Sequence, residues 1–571
     1  MSVPRIKILL PALFAFLVAM CVVPAAAFAE SDTVTVGASG TYQSLQEAFE
    51  YAADGDTILL QENVTVDTVI TVDKAVTLDL NGFTITNNVQ KDRPFSVTAS
   101  RFTVEGTAAG SSMVVPESNT ASYGFIKLME PSVVTLNGGI YKGNTDSGSF
   151  VMIRNRPDQE GSAASGSTVI FNNVNMTSNG QFFNTDTLST DASTPTLQVT
   201  GGTYVTAGKA FGTDTIYRSP VVFADVTVTA GTGPCIEVCG PEATFNNCIF
   251  TVTGKGSSNF DATAVAASWS GSATIDGGTY SAPNGYGVYV YNSGGIITVN
   301  SGTISGGVAA ARADKNVQSD NGSSQQSTVV VKGGETIGTW YRNDPEAVLS
   351  ALGGSHTTDV SDYVKEGAAI LVGEDNGSPL YSIYSSLDDA LNSGGAYVVK
   401  NNDGTTWVFT EKEKADAFAE ESGSEAPEAI MRTVAFDDRI DSTPDQHVEV
   451  LNGQSVAKPA ADPVLKGYRF LGWYEYDSAT GTYASEPFDF SMPIFGDVTL
   501  YAQWEEETSV DGETQGPVVD DVASLDEQPD VQQPLPQTGD NQFIDIMIAG
   551  LVALTLASMA VAVYSIRERR S

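Results

Sequence analysis

From residue 31 to about residue 355, apolar and polar positions alternate along short runs, and one six-residue unit recurs. The unit has an apolar residue, a polar one, two small or turn-forming ones, one further residue, and a final apolar or aromatic one. Its clear copies are Leu136–Tyr141, Val199–Tyr204, Ile275–Tyr280 and Val299–Ile304, and looser copies begin at Phe171, Phe223, Phe245 and Val331. The period of two indicates strands, and Gly-Gly or Asn-Asn predicts a sharp corner because both residue types tolerate positive φ.

The copies of this unit begin 22 to 35 residues apart. A period of this size with variable inserts is typical of solenoids, in which each coil buries its apolar side against its neighbours. We therefore predict a mainly β fold with a right-handed parallel β-helix of about ten coils over residues 30–355. A β-sandwich would need hairpin turns roughly every 8–12 residues instead of one recurrent corner.

A short helix is predicted before the first strand of this region. Leu45, Ala48, Phe49 and Ala52 fall on one helical face, and the chain then turns at Asp54 into a strand. This order is similar to the capping helix and first coil of pectate-lyase-like β-helices, in which the helix covers the open end of the core. An uncovered sheet edge would invite aggregation. The resemblance implies a fold and does not decide a function.

The part of the chain after residue 355 follows a different pattern. Residues 356–431 combine helical and strand signals, which predicts a small α/β connector. Residues 432–505 carry landmarks in the order Val434–Phe436, Gly467–Tyr474, Phe488–Phe490 and Asp497–Trp504. This segment resembles the Listeria–Bacteroides repeat, a small β-grasp-like module of bacterial surface proteins, and the resemblance implies a spacer or adhesion accessory. We expect its aromatic side chains to form the core of the module.

The C-terminus carries the most specific motif of the chain. Residues 506–534 are acidic and rich in Pro and Gln, which predicts a disordered linker. Leu535, Pro536, Gln537, Thr538 and Gly539 follow, and a transmembrane helix is predicted at residues 546–564 before a basic tail. Residues 535–571 together resemble a sortase sorting signal. The resemblance implies that a sortase transpeptidase joins Thr538 covalently to cell-wall peptidoglycan, so that the membrane holds the chain only before sorting.

The N-terminal sequence also indicates export from the cell. Arg5 and Lys7 precede an apolar segment, and Ala27 and Ala29 are small residues at the two positions that a signal peptidase reads. Residues 1–29 are therefore predicted to be a secretory signal peptide, with cleavage before Glu30. We expect the mature protein in the cell wall, on the extracellular surface of a Gram-positive bacterium.

Charge and cysteine content limit the possible partners. The chain has a formal net charge of −40 at pH 7, which repels nucleic acid and anionic membrane surfaces and favours cations or basic partners. Three cysteines remain outside the signal peptide, and this odd count is not a disulfide framework. Cys235 and Cys239 could form a bridge, or all three cysteines could be small core residues.

The β-helix region could be an enzyme, since pectate-lyase-like helices include lyases and hydrolases. Residues 30–355 contain no Asp-Asp pair and no His, so the acid/base set that the resemblance would require is missing, and we expect neither catalysis nor a resident cofactor. Asp186 and Asp214 lie in near copies 28 residues apart. On adjacent coils their carboxylates would be ~5 Å apart, a spacing that suits Ca²⁺ binding or a retaining glycosidase. A turn bonded to its own backbone is the simpler interpretation of both.

A ligand-binding surface is predicted on the strand at Tyr286–Tyr291. If Val288 and Val290 point inward, Tyr289 and Tyr291 face solvent, and Trp269, Arg154, Arg156 and Arg312 fall on comparable strands. Aromatic faces and arginine side chains suit glycan recognition, although scattered surface residues would give the same pattern. We therefore predict a non-catalytic adhesin that binds a glycan or a host matrix ligand. The alternatives are a polysaccharide lyase or glycoside hydrolase, and a structural stalk without a ligand.

Overall fold

The computed structural model describes residues 34–36, 40–144, 149–155, 166–187, 197–212, 220–240, 242–255, 262–291, 294–314 and 326–507. The predicted signal peptide, most of the acidic linker and the predicted sorting signal lie outside these residues. The part of the chain that the structure describes is mainly β, with 51% of its residues in strands. In the part of the chain that the structure describes, no helix is both long and apolar enough to cross a bilayer.

The N-terminal end of the coils is covered by β1 (Val34–Val36), β2 (Gly40–Tyr42) and α1 (Leu45–Tyr51). Ser44 caps α1 by accepting a hydrogen bond of 3.2 Å from the backbone N–H of Glu47. The predicted inner face of the helix is confirmed, because Leu45, Ala48 and Phe49 are buried. The ring centres of Phe49 and Phe95 are 5.7 Å apart, so the helix closes the aromatic core of the coils.

Residues 57–356, called the coil segment below, form successive coils, and each coil has three strand positions. The first strands are β3 (Thr57–Leu60), β6 (Val76–Asp79), β9 (Arg101–Gly106), β12 (Val133–Gly138), β15 (Thr168–Asn172), β18 (Leu197–Thr200), β21 (Val221–Ala224), β24 (Glu242–Val252), β26 (Gly271–Ala282), β28 (Gly295–Gly306), β30 (Ser327–Val331) and β33 (Val348–Ala351). Strands β24, β26 and β28 are long enough to contain both the first and the second strand position of their coils.

The separate second strands are β4 (Val64–Val66), β7 (Thr84–Asn87), β10 (Ser112–Val114), β13 (Ile140–Lys142), β16 (Asn175–Ser178), β19 (Thr203–Thr206), β22 (Thr227–Ala230), β31 (Glu335–Ile337) and β34 (Gly354–His356). The third strands are β5 (Ile70–Val72), β8 (Phe95–Val97), β11 (Ile126–Leu128), β14 (Ser149–Asn155), β17 (Gln181–Thr187), β20 (Phe211–Gly212), β23 (Ile236–Cys239), β25 (Thr263–Ser268), β27 (Tyr286–Val290), β29 (Ala309–Ala313) and β32 (Trp340–Arg342).

Each strand of the coil segment pairs in parallel with the strand at the same position of the next coil. In β12 and β15, for example, Leu136 is the register partner of Phe171. First and second strands belong to one large sheet, sheet A, and the third strands form the eleven-stranded sheet B. A mainly β fold with extensive parallel sheets is thus confirmed, and it is consistent with the predicted β-helix.

The recurrent corner has the backbone conformation that the sequence predicts. Gly138 and Gly139 have φ values of 64° and 86°, and Asn173 takes the equivalent place with 51°. A Cβ atom added at Gly202 would collide with the carbonyl oxygen of Val174, so the corner of one coil is in contact with the corner before it. The corner therefore requires residues that tolerate positive φ, and at Gly202 it also requires the absence of a side chain.

The connector joins the sheet of the last coil instead of standing apart from it. A 3₁₀ helix (Ser361–Tyr363) leads into β35 (Ala369–Asp375), β36 (Ser378–Tyr384), α2 (Leu387–Asn392), β37 (Tyr397–Lys400), β38 (Thr406–Phe409), α3 (Lys412–Ser422) and β39 (Glu428–Ala429). Strand β36 pairs antiparallel with β34, with Tyr381 opposite His356. The connector thus covers the C-terminal edge of the coils.

The last described segment is a mixed sheet, sheet C. It contains β40 (Met431–Asp437), β41 (Gln446–Leu451), β42 (Tyr468–Asp477), β43 (Thr482–Tyr483) and β44 (Val498–Glu506) in the order β41-β40-β44-β42-β43. Only the β40–β44 pair is parallel among these pairings. Phe436, Trp473 and Leu500 are buried in one cluster, which confirms that aromatic landmarks of the segment form its core.

Candidate functional site

Two of the predicted ligand-binding residues, Tyr289 and Arg312, lie on the outer surface of sheet B. Along this sheet one residue per coil forms a continuous series of register partners, called the outer row below: Gly212, Glu237, Ala266, Tyr289, Arg312 and Tyr341. Most of their described neighbours in these strands are buried inside the coils, for example Val288 and Val290 at 0% exposure. Because successive residues of a strand point to opposite faces, the outer row faces away from the core.

Arg312 is the centre of a compact group on this row. Its Nε and Nη2 atoms donate to the two carboxylate oxygens of Asp314 at 2.8 and 2.9 Å, and Nη1 donates to the hydroxyl of Tyr286. The hydroxyl of Tyr289 donates to the same carboxylate. The guanidinium carbon lies 4.6 Å from the ring centre of Tyr289 and 5.2 Å from that of Tyr341. We call these five residues the tyrosine–arginine cluster.

The surroundings of Tyr289 and Arg312 hold each of these two side chains in one protonation state. Burial, followed by the hydrogen bond to Asp314, raises the pKa of the Tyr289 hydroxyl well above its usual value. Burial acts to lower the pKa of the Arg312 guanidinium, but the bonds to Asp314 and the neighbouring tyrosines outweigh it and raise the pKa. At neutral pH the Arg312 guanidinium is therefore charged and the Tyr289 hydroxyl is protonated.

The prediction that Tyr289 faces solvent is wrong. Tyr289 is 1% exposed, and Tyr291, whose ring centre lies 5.7 Å away, is half-buried. The alternation of the strand predicted the correct side of the sheet, but Arg312 of the next coil and the neighbouring Tyr286 and Tyr291 rings pack over the Tyr289 ring. Tyr341 is the exposed aromatic residue of the cluster, with 48% of its surface accessible.

The other residues predicted for the ligand-binding surface do not all lie on the strands of sheet B. Trp269 does not lie on a strand; it follows β25 in a turn with a φ of 50° and is half-buried. Arg154 lies in β14, and its backbone register partner in β17 is Asp186. Arg156 and Asp214 lie outside the described residues, and the side chains of Arg154 and Asp186 are not described.

The prediction for Asp186 and Asp214 rests on a 28-residue offset between neighbouring coils, and the structure contains this offset. Phe183 and Phe211, three residues before the two aspartates, are register partners on adjacent coils. Whether the carboxylates form a pair stays a prediction, because Asp214 lies outside the described residues. Among the residues with a described structure, no group of three or more His, Cys, Asp or Glu side chains could hold a metal ion.

A second polar group on the outer face of sheet B was not predicted. Lys209 forms an ion pair of 2.7 Å with Glu237, and the other carboxylate oxygen of Glu237 lies 3.3 Å from both Cys239 Sγ and Ser268 Oγ. Burial, and then the charge of Glu237, raises the pKa of the Cys239 thiol well above its usual value. The thiol is therefore protonated and is not an activated nucleophile. These residues come from three coils, so no local sequence pattern joins them.

Comparison with known proteins identifies one segment of the chain. No curated protein and no solved structure matches the chain. Residues 433–503 match the family model described as the Listeria-Bacteroides repeat domain, which confirms the resemblance predicted for this segment. Sheet C is therefore a Listeria-Bacteroides repeat domain, a module typical of extracellular and surface proteins.

Proposed function

We propose that the chain is a wall-anchored surface protein whose coil segment binds a glycan or host matrix ligand without catalysis. The repeat domain at residues 433–503 supports a surface location. The signal peptide predicted at residues 1–29 and the Leu535–Gly539 motif add export and covalent attachment through Thr538. The acidic net charge of −40 agrees with a protein that contacts neither nucleic acid nor an anionic membrane.

The observation that carries the binding proposal is the pairing of Arg312 with exposed Tyr341. The bidentate bond to Asp314 holds the guanidinium in one orientation, and three of its five N–H groups are used by Asp314 and Tyr286. The Tyr341 ring beside it is 48% exposed and offers an apolar face. A sugar ring could stack on Tyr341 while its hydroxyls accept from the remaining guanidinium hydrogens.

A stalk without a ligand is the second candidate, and one observation favours it. The Arg312 and Asp314 side chains bond chiefly to each other and to the neighbouring tyrosines, and they are only 11% and 7% exposed. Such a cluster can serve stability alone by sealing the outer surface of sheet B. The binding proposal therefore rests on Tyr341, and the test has to address this residue.

A glycan and matrix-protein array, probed with residues 30–534 with and without Ca²⁺, separates the candidates. Selective binding that is lost in Tyr341→Ala and kept in Tyr51→Ala supports the binding proposal, since Tyr51 is a comparably exposed tyrosine (63%) at the capping helix. Absence of binding favours the stalk. Binding that declines while the glycan is degraded favours a lyase or hydrolase.

Attachment to the wall is tested separately by cell fractionation. The wild-type chain is expected in the wall fraction, released only by a muramidase. Because the sortase motif implies cleavage after Thr538, a Thr538→Ala variant is expected to stay in the membrane fraction. The control is Gln537→Ala, at the variable position of the motif, which should still reach the wall. Equal release of both variants would contradict sortase anchoring.

A further inference from the structure

The repeat domain contains a surface groove beside its core, and Phe488, Ile494 and Val498 of the lining also pack against that core. The groove has a volume of about 500 Å³ and lies between the end of β42 and the segment 484–498. This volume is within the ~300–1,000 Å³ typical of ligand sites. Its apolar lining comes from Pro487, Phe488, Met492, Pro493, Ile494, Phe495 and Val498. Met492 is 55% exposed at the groove and can adapt to different apolar partners.

The segment that forms the groove is irregular but held in place. Between β43 and β44 it contains no regular element, and the N–H of Phe488 donates to the carbonyl of Trp473 at 2.7 Å. The N–H of Ile494 donates to the carbonyl of Gln454 at 3.0 Å, and Asp489 Oδ1 accepts from the N–H of Ser491 at 2.9 Å. An irregular segment of this length is uncommon in a compact domain unless it serves a function, and its bonds preorganise the groove.

The charges around the groove have one sign. Glu475, Glu486, Asp489 and Asp497 line it, and the lining contains no Lys, Arg or His. Hydrogen bonds from Ser491 lower the pKa of Asp489, so this carboxylate stays ionised at neutral pH. Asp497 accepts a backbone hydrogen bond from Thr433. Glu475 and Glu486 are exposed carboxylates, and neither is in an ion pair with a described residue.

We propose that this groove binds an extended basic segment of a partner protein, with an aliphatic or aromatic side chain in the apolar lining and flanking lysines or arginines at the acidic rim. The apolar lining supplies affinity and the carboxylates supply orientation. An acidic peptide would be repelled by the four carboxylates of the lining. The site is independent of the coil segment, so it does not depend on the glycan proposal.

The test uses the full chain and fluorescence anisotropy of labelled peptides. The probe is acetyl-Lys-Leu-Lys-Phe-Lys-amide, and the comparison peptides replace either Leu and Phe by Gly or every Lys by Glu. We expect saturable binding of the first peptide and at least tenfold weaker binding of both others. Glu475→Gln combined with Glu486→Gln should weaken binding at least tenfold, and Met492→Ser should weaken it severalfold.

A matched control decides whether the groove or the negative charge of the whole chain causes the binding of the basic peptide. Glu420→Gln combined with Glu421→Gln removes the same two charges from exposed positions at the end of α3. Binding that survives in this control and is lost in the groove variant supports the proposal. Equal loss in both variants, equal binding of the Gly peptide, or no saturable binding of the Leu-Phe peptide would each overturn it.

Discussion

The side-chain amide of Asn452 donates a hydrogen bond of 2.8 Å to the carbonyl oxygen of Leu391, which lies 61 residues earlier at the end of α2. The same amide donates to the carbonyl of Gly395 at 2.7 Å, and its oxygen accepts from Nε of Arg432 at 2.7 Å. Asn452 is 2% exposed. One buried amide thus links the repeat domain to the connector through two hydrogen bonds, and a third holds it within the repeat domain, so the domain is docked and is not joined by a free tether.

Asn452→Asp should weaken this junction strongly. The substitution replaces two N–H donors by an oxygen that faces two carbonyl oxygens, while the bond from Arg432 is kept. Loss of the two buried hydrogen bonds and the repulsion that follows should lower the free energy of unfolding by about 3 kcal/mol. Calorimetry of the full chain should show the loss as a lower midpoint for the transition of the repeat domain.

Asn376→Asp is the matched control for this junction, because Asn376 is an exposed turn residue between β35 and β36. It introduces the same charge away from buried carbonyls and loses only an exposed hydrogen bond to Asp375, so it should change the midpoint little. Equal midpoints for the two variants would mean that the two bonds from Asn452 to the connector do not hold the domains together.

The strand pattern predicted the inner surface of the coils correctly because that surface depends on local chemistry. Val288 and Val290 are inside, and the Gly138–Gly139 corner has positive φ, since period and corner chemistry are contained in one coil. The helix that closes the N-terminal end was predicted for the same reason, from its own periodicity.

The outer surface could be predicted only in part. The sequence placed Tyr289 and Arg312 on comparable strands, and the structure brings the guanidinium within 4.6 Å of the ring centre. The predicted exposure of Tyr289 was wrong because Arg312 of the next coil and the Tyr286 and Tyr291 rings of its own coil cover the ring, and coil length varies with the inserts. The register that puts Tyr341 beside Arg312 therefore cannot be read from one strand.

His356 should make the stability of the coil segment depend on pH. It is fully buried, with Nδ1 2.8 Å from Thr336 Oγ1 and Nε2 3.2 Å from the carbonyl of Gly353. Burial lowers the pKa of the imidazole to about 4, although the bond to Gly353 acts in the opposite direction. The unfolded chain binds this proton below a pKa of ~6.5, whereas the folded chain binds it only near pH 4.

The sign of the effect follows from these two pKa values. Between them the unfolded state holds more protons, so stability is lost as the pH falls, by about 3 kcal/mol in total. Urea unfolding from pH 7.5 to pH 4.5 measures this loss. His447→Gln, which alters the exposed second histidine, should keep the slope, and His356→Gln should reduce it. A steep slope that persists in His356→Gln would assign the effect to other groups.

The three described cysteines should be unreactive in the folded protein. Cys235, Cys239 and Cys248 are buried free thiols, and burial raises the pKa of Cys235 to about 12 and that of Cys248 to about 11. A bridge between Cys235 and Cys239 is excluded, because four residues of extended chain span ~13 Å, which exceeds the reach of a disulfide.

A thiol reagent such as DTNB measures this directly. The chain cleaved before Glu30 should show almost no reaction at pH 8 and should release three equivalents of thiol in denaturant. Rapid reaction of one equivalent under native conditions would contradict the burial of the thiols, and a Cys239→Ser variant would show whether the thiol beside Glu237 is responsible.

Tyr204→Phe should stabilise the coil segment. Tyr204 is the last residue of its six-residue repeat unit, is 0% exposed and packs 5.3 Å from Phe211 and 5.5 Å from Phe182. Its hydroxyl is buried, and no described residue forms a hydrogen bond with it. Removing an unsatisfied buried hydroxyl while keeping the ring should raise the free energy of unfolding by about 1 kcal/mol.

Tyr51→Phe provides the comparison for this substitution, because Tyr51 is 63% exposed and its hydroxyl can bond water in both states. Urea denaturation should move the midpoint upward for Tyr204→Phe and leave it unchanged for Tyr51→Phe. A lower midpoint for Tyr204→Phe would show that the hydroxyl has a partner in solution, such as a buried water, and that the aromatic core of the coils depends on it.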